Sequence, residues 1–232
     1  MMPFPAPKQA LGCPTARCRG RWSAAPERIL GLSVHAGMAS LQTLLAEVRA
    51  CTLCKRHLPL GPRPTFQLHP SARLLIASQA PGGKVHESGV PFNDVSGDRL
   101  RAWLGISRDA FYDATRVAIL PMGFCFPGTG QSGDLPPRPE CAPAWRSQLL
   151  SRLKNLELKL IIGQYAQAYH LPGAGGTLTA TVQSWRSHWP ATVPLPHPSP
   201  RNMLWLKRNP WFEDELLPVL RARVAEVLAD GG

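Results

Sequence analysis

The sequence predicts an α/β fold with three layers, α/β/α, around a central, mainly parallel sheet of four strands. Three observations predict it. Four short apolar runs, Arg73–Ala77, Val117–Leu120, Leu158–Ile162 and Thr192–Leu195, have the length of buried strands. Stretches with helical periodicity separate them, as the crossovers of a parallel sheet require. The runs end in Gly, Pro or polar residues, and open α/β sheets hold ligands at the carboxyl ends of their strands.

Taken in order, residues 1–37 read as a basic, disordered N-terminal tail, so a second unit over 38–232 carries the fold. The tail has five prolines, five basic residues, one acid and no sustained period. Met38 is a candidate start, because a helix pattern follows at once. Cys13 and Cys18 in the tail read as incidental thiols. Ser40–Ala50 places Leu41, Leu44, Leu45 and Val48 on one helical face and delivers Cys51 and Cys54 at its end. Leu58–Pro70 is Pro-rich and reads as a covering loop. After the first strand comes Ser78-Gln79-Ala80-Pro81-Gly82-Gly83, where Pro81 fixes one φ and the glycines admit a ligand close to the backbone. A helix over Ser96–Leu104 follows, with Ser96 as candidate cap and Asp94 as the alternative one. The second strand runs into a long Gly/Pro loop, Gly123–Pro139, containing Cys125. Cys141 opens the next helix, about Pro143–Leu153. The third strand ends at Gly163, before a helix over Gln164–His170 and a loop from Pro172 to Gly176. The fourth strand runs into His197-Pro198-Ser199-Pro200-Arg201-Asn202. Phe212–Leu228 closes the chain as a helix.

Composition narrows the function. The net charge is +11 and the pI about 10.0, and most of that charge lies outside the tail. An anionic partner is expected, nucleic acid first. No apolar run approaches the roughly 18 residues of a membrane helix. Six cysteines without a secretory signal pattern argue against a disulfide scaffold and for thiols in a reducing compartment. Cys51-x-x-Cys54 with the Cys125/Cys141 pair makes four thiolates a plausible tetrahedral set. Zn²⁺ and an iron–sulfur cluster both accept such a set, and the chemistry of four thiols leaves the two open.

These residues resemble a known family. A strand ending in QAPG, then Pro91-Phe92, a Cys pair after the second strand and a strand ending in HPSPRN are together similar to the uracil-DNA glycosylase superfamily, over about Leu41–Leu228. The cysteine spacing resembles its iron–sulfur branches, family four and five; HPSPRN resembles its single-strand-selective branch. The resemblance implies a [4Fe–4S] cluster on Cys51, Cys54, Cys125 and Cys141, with Zn²⁺ as the alternative. It implies a glycosylase that hydrolyses the N-glycosidic bond of uracil or another deaminated base in DNA, acting as a monomer in a bacterial cytoplasm and nucleoid. The chain departs from the family pattern at three places. The water-activating Asp of the best-known branch falls at Ala80, the Glu of family four at Gln79, and the uracil-reading Asn at Pro121. Another iron–sulfur branch uses an Asp in an F-x-G-D-x-S-G segment, and Phe92-Asn93-Asp94-Val95-Ser96-Gly97 is similar to it. Asp94 is therefore the matched acid, and Glu87 the runner-up.

The chemistry assigns the remaining expectations. A target base must leave the stack and enter a closed pocket. Gln79, Ala80, Pro81, Gly82, Phe92 and Asn93 are expected to hold it, with the Gln79 N–H donating to a base carbonyl and the Phe92 ring stacking on the base. His197 is expected to stabilise charge on the leaving base, and Asp94 to orient water. Ser199, Arg201 and Asn202 are expected to contact DNA. Phe92 and Asp94, two apart in an extended segment, are expected to point the same way. The competing expectation is a DNA-binding or sensing module that kept the fold without catalysis, because Ala80 and Pro121 lack the family's polar groups.

Overall fold

A computed structural model describes residues 40–229 except 132, 174 and 175. The expected tail, the candidate start at Met38, Cys13 and Cys18 lie outside the described residues. The strands in chain order are β1 (Leu74–Ala77), β2 (Val117–Ile119), β3 (Thr129–Gly130), β4 (Gly133–Asp134), β5 (Leu158–Ile162) and β6 (Thr192–Leu195). Four of them form one parallel sheet in the order β2-β1-β5-β6, and β3 and β4 form a small antiparallel hairpin. The α/β/α fold with a four-stranded parallel sheet is the one the apolar runs predict.

The period of two sorts the strand residues onto two covered faces. Leu74, Ile76, Val117, Ile119, Leu160 and Val193 pack with Leu100 and Leu104 of α3 (Val95–Leu104) and with Leu220 and Val224 of α9 (Leu217–Leu228). Leu75, Ala118 and Leu120 face the other way, onto Leu44 and Val48 of α1 (Leu41–Arg49) and Leu149 of α5 (Cys141–Leu150). Ala77 and Ile161 continue that second face against Ala142 and against Ala166 of α6 (Gly163–His170). Both sheet edges are managed. Gln67 of the covering loop exchanges two backbone hydrogen bonds with Ile119, at 2.9 and 2.8 Å. Pro194 sits in β6, an edge strand, where a missing N–H is tolerated.

Several boundaries differ from expectation. The cap of α3 is Asp94, whose Oδ1 accepts from the Gly97 N–H at 2.9 Å; Ser96 is buried inside the helix. Helix α2 (Gly83–Ser88) falls in the stretch expected as a site loop, and α4 (Arg108–Tyr112), α7 (Leu178–Gln183) and α8 (Met203–Arg208) lie where the sequence reading assigns no element. Each has five or six residues, too few for a 3.6-residue period to register. The loop Gly123–Pro139 contains the hairpin β3–β4. The closing helix is not uniform: Phe212–Leu216 is a wider π turn that precedes α9, whose Pro218 has no N–H for a regular ladder.

Candidate functional site

A cavity of about 640 Å³ opens at the carboxyl ends of β1, β5 and β6, where the chain order of the sheet reverses around β1. Gln79, Ala80, Pro81 and Gly82 line it from the loop after β1. Phe92 and Asp94 line it from the segment before α3, and His197, Ser199, Arg201 and Asn202 from the loop after β6. Asn93 is not among the lining residues; its Oδ1 accepts from Arg108 Nη2 at 2.8 Å. Glu87 is exposed on α2 and does not line the cavity either.

The premise that Phe92 lies in an extended segment does not hold. Phe92 has φ +55, a left-handed conformation that a bulky residue rarely adopts. The surroundings enforce it. Gly97 packs so closely on the Phe92 carbonyl that a Cβ there would collide with it. Arg101 Nη1 donates to the same carbonyl at 3.4 Å, and the Tyr112 hydroxyl donates to Pro91 O at 3.0 Å. The Phe92 ring meets Phe111 edge-on at 6.1 Å, so it is core on one side and cavity wall on the other. Gly97→Ala is expected to cost about 1–3 kcal/mol through overpacking against backbone, and to weaken activity because Phe92 and Asp94 move with it. Denaturant unfolding of this variant checks the cost; wild-type stability would contradict it.

His197 is held by its own loop. Its Nδ1 accepts from the Ser199 N–H at 3.2 Å, so in the neutral ring Nε2 carries the hydrogen and is the donor. Burial pushes its pKa down to about 4, and the Asp94 carboxylate offsets this only in part. The loop is braced by Asn202 Nδ2 donating to His197 O at 2.7 Å and by Arg99 Nη1 donating to Pro198 O at 3.1 Å. Ser199 Oγ accepts from the Arg201 N–H, closing a turn over Pro200–Asn202. Arg201 extends to the hairpin, where its guanidinium fills the place a Cβ on Gly133 would take.

A second histidine, His170 on α6, is pushed down to about 3 by burial and by Arg146. Unfolded, both rings titrate near 6.5. As pH falls through that value the unfolded chain takes up protons that the folded chain refuses. Stability is therefore lost from about pH 6.5 down towards pH 4, and these two groups contribute no slope well above it. Melting temperature is expected to fall between pH 7 and pH 5, before carboxylates titrate. A flat profile over that window would contradict the burial of both rings.

The polar lining residues Thr65, Asp134 and Gln164 escaped the sequence reading. Gln164 follows β5 and Gly163, so the strand-end rule that found the other loops reaches it. Thr65 and Asp134 arrive from a covering loop and a two-residue strand, and no periodic signal marks either.

The four cysteines Cys51, Cys54, Cys125 and Cys141 line one small second cavity, with Phe124 and Trp145. They come from the segment after α1, the loop after β2 and the start of α5. Two N–H groups point at sulfur: Trp145 Nε1 to Cys51 Sγ at 3.2 Å, and Phe124 N to Cys141 Sγ at 3.3 Å. Such bonds suit ligating thiolates. Burial pushes the Cys125 thiol up to about 11 and the Cys141 thiol up to about 12, and neighbouring cysteines add to both shifts. The Glu140 carboxylate lies 3.8 Å from Cys54 Sγ, but Arg138 holds it at 2.7 and 3.2 Å. The donor set fits a group bound by four cysteines. Among the described residues no three His, Cys, Asp or Glu side chains converge on a single ion position.

The sequence model of one protein family, described as the uracil DNA glycosylase superfamily, matches residues 66–221. That span is about two thirds of the chain and includes the six strands among the described residues, the cavity loops after β1, β5 and β6, and Cys125 and Cys141.

Proposed function

The chain belongs to the uracil DNA glycosylase superfamily, and we propose that it is an active DNA glycosylase removing uracil or another deaminated base from DNA. The observation that carries this reading is one cavity holding both a carboxylate, Asp94, and a neutral imidazole donor, His197 Nε2. In hydrolysis the bond between C1′ and the base nitrogen breaks, and its electron pair leaves with the base. The oxygen of water bonds to C1′, and the proton that water loses ends on the base. Asp94 orients the water, accepts its proton and opposes positive charge growing on the sugar. The His197 N–H meets negative charge growing on a base oxygen, an interaction that strengthens in the transition state. A neutral donor suits this role better than an imidazolium, which would bind anions indiscriminately. The Gln79 N–H and the Phe92 ring position the base, and Ser199, Arg201 and Asn202 meet the DNA backbone or the gap left in the stack. The net charge of +11 supports a polyanionic partner.

Within the superfamily we place the chain with the iron–sulfur branches, its HPSPRN loop being of the single-strand-selective kind. The domain spans 38–232, after a basic tail, and works as a monomer in the cytoplasm. Among the described residues no helix is long and apolar enough to cross a membrane. The cysteines would hold the cluster, whose contribution is structural, since glycosidic hydrolysis moves no electrons. A single Zn²⁺ needs four sulfurs about 2.3 Å from one point. Zn²⁺ and a four-iron cluster would each use the four thiolates of this cavity, and metal analysis of the purified protein separates them.

The test is excision from single- and double-stranded oligonucleotides carrying uracil, hypoxanthine or xanthine, followed by alkali. Strand breaks at the damaged position are expected. Intact strands for all three bases would overturn the reading. Ala80 and Pro121 line the cavity without an acid or an amide, which favours the second reading, a DNA-binding module without catalysis. Salt-sensitive binding to the same oligonucleotides without breaks would establish it.

A further inference from the structure

Thr65 is 2% exposed, yet it lines the base cavity. The covering loop holds it in a fixed place. Pro64 precedes it with a restricted φ, and the Thr65 N–H donates to Phe124 O at 2.7 Å. Two residues on, the Gln67 backbone pairs with Ile119, and the Gln67 side chain donates to Phe111 O at 3.1 Å and to Val117 O at 2.8 Å. The stretch is tied along β2 like a short extra edge. The Thr65 hydroxyl is committed in one respect, because Oγ1 donates to Arg63 O at 3.2 Å. A hydroxyl has one hydrogen and two lone pairs, so Thr65 has only lone pairs left to offer the cavity. Ile119 and Pro121, which line the cavity with it, have no polar side-chain atom. Asp134 and Gln164 line it as well but are exposed, whereas Thr65 is buried.

We propose that Thr65 Oγ1 reads the ring nitrogen that deamination changes, accepting its N–H and so sorting deaminated bases from their parents. The inference rests on the proposed glycosylase reading and says how that site chooses its base. Cytosine N3 and adenine N1 carry a lone pair, whereas uracil N3 and hypoxanthine N1 carry a hydrogen. An oxygen whose own hydrogen is taken bonds that N–H. Against the parent base it sets lone pair against lone pair. The parent's nitrogen is then left unpaired in a closed pocket, where an unmade hydrogen bond is costly. One acceptor serves pyrimidine and purine alike, and the cavity of about 640 Å³ has room for either. Thymine and guanine carry the same N–H, so Thr65 does not sort them from the deaminated bases.

The experiment measures binding of wild type, Thr65→Val and Thr65→Ser to oligonucleotides carrying 2′-fluoro-deoxyuridine or its N3-methyl derivative. The fluorine slows glycosidic cleavage, so binding is read apart from chemistry. Methylation removes the N–H and keeps both carbonyls. Val matches the shape of Thr without its hydroxyl, so the bulk of the methyl group weighs equally on both proteins. Thr65→Val is expected to bind the uracil strand about 10- to 100-fold more weakly and the methylated strand as wild type does. Thr65→Ser is expected to stay near wild type on both. No preference for uracil in wild type, or the same preference in Thr65→Val, would overturn the proposal. Equal weakening of Thr65→Val on both strands would overturn it too, since Thr65 would then be a structural anchor alone. If Thr65→Val does not fold, Thr65→Ala takes its place under the same expectation. Wild-type protein that prefers uracil through Thr65 but breaks no strand in the alkali assay would overturn the proposed activity and uphold the base reading. Strand breaks with a preference that Thr65→Val leaves unchanged would do the reverse.

Discussion

Asp94→Asn is expected to lower the excision rate by roughly 10²-fold or more, the size of a positioned acid–base group, while melting stays near wild type. The two halves of this expectation come from the same side chain. One carboxylate oxygen, Oδ1, caps α3 through the Gly97 N–H, and Asn serves as well as Asp in that position. The charge is a separate matter. It lies on the wall of the cavity and acts on His197, and Asn removes it without moving the backbone. Asp94→Ala is expected to lose both cap and charge, so its melting temperature falls as well. The runner-up acid changes once the cavity is known. Glu87 is exposed outside it, whereas Asp134 lines it from the hairpin, beside Gly82. Asp134→Asn is therefore the informative control. Full activity in Asp94→Asn together with a dead Asp134→Asn would move the water-activating role to the hairpin.

The parts of this molecule that were legible in the sequence are those where one residue's neighbours along the chain decide its fate. Buried parallel strands are apolar on both faces, so Leu158–Ile162 and Thr192–Leu195 announce their own boundaries. The loops that follow them fall at the cavity because parallel strands all end on the same side. Asp94 illustrates the limit. It was expected to share a face with Phe92 through an extended backbone, and both do line the cavity. The route is different: a left-handed Phe92, forced by contact with Gly97 and by Arg101. That geometry depends on residues five and nine positions away folding into α3, which no local pattern encodes. Asp134 was missed for the same reason, since β3 and β4 have two residues each and exist by pairing with each other. Arg146 gave no signal at all, because a lone Arg on a helix reads as a solvated one until its burial is seen.

Protein purified anaerobically is expected to be brown, with broad visible absorption, and Cys125→Ser or Cys141→Ser to be colourless. The consequence for function follows from what the cysteines connect. Cys51 and Cys54 lie in the segment after α1, Cys125 lies in the loop after β2, and Cys141 begins α5. Between Cys125 and Cys141 the chain makes the hairpin that carries Asp134 to the cavity and backs Arg201. Without the bound group that segment is tied down mainly by its own short hairpin, by Phe126 and Pro137, which are buried, and by Arg138–Glu140. The sheet keeps its two packed faces, so far-ultraviolet dichroism is expected to change little. DNA binding and excision are expected to fall by roughly 10–100-fold, the scale of damage when a metal site is disturbed. The binding free energy of a structural metal is also folding free energy, so melting temperature falls with the colour. Cys13→Ser and Cys18→Ser, outside the quartet, are the matched controls and are expected to leave colour, metal content and activity unchanged. Colourless wild-type protein carrying one zinc per chain would replace the cluster with an ion and keep the quartet. Full colour and activity in Cys125→Ser would remove Cys125 from it.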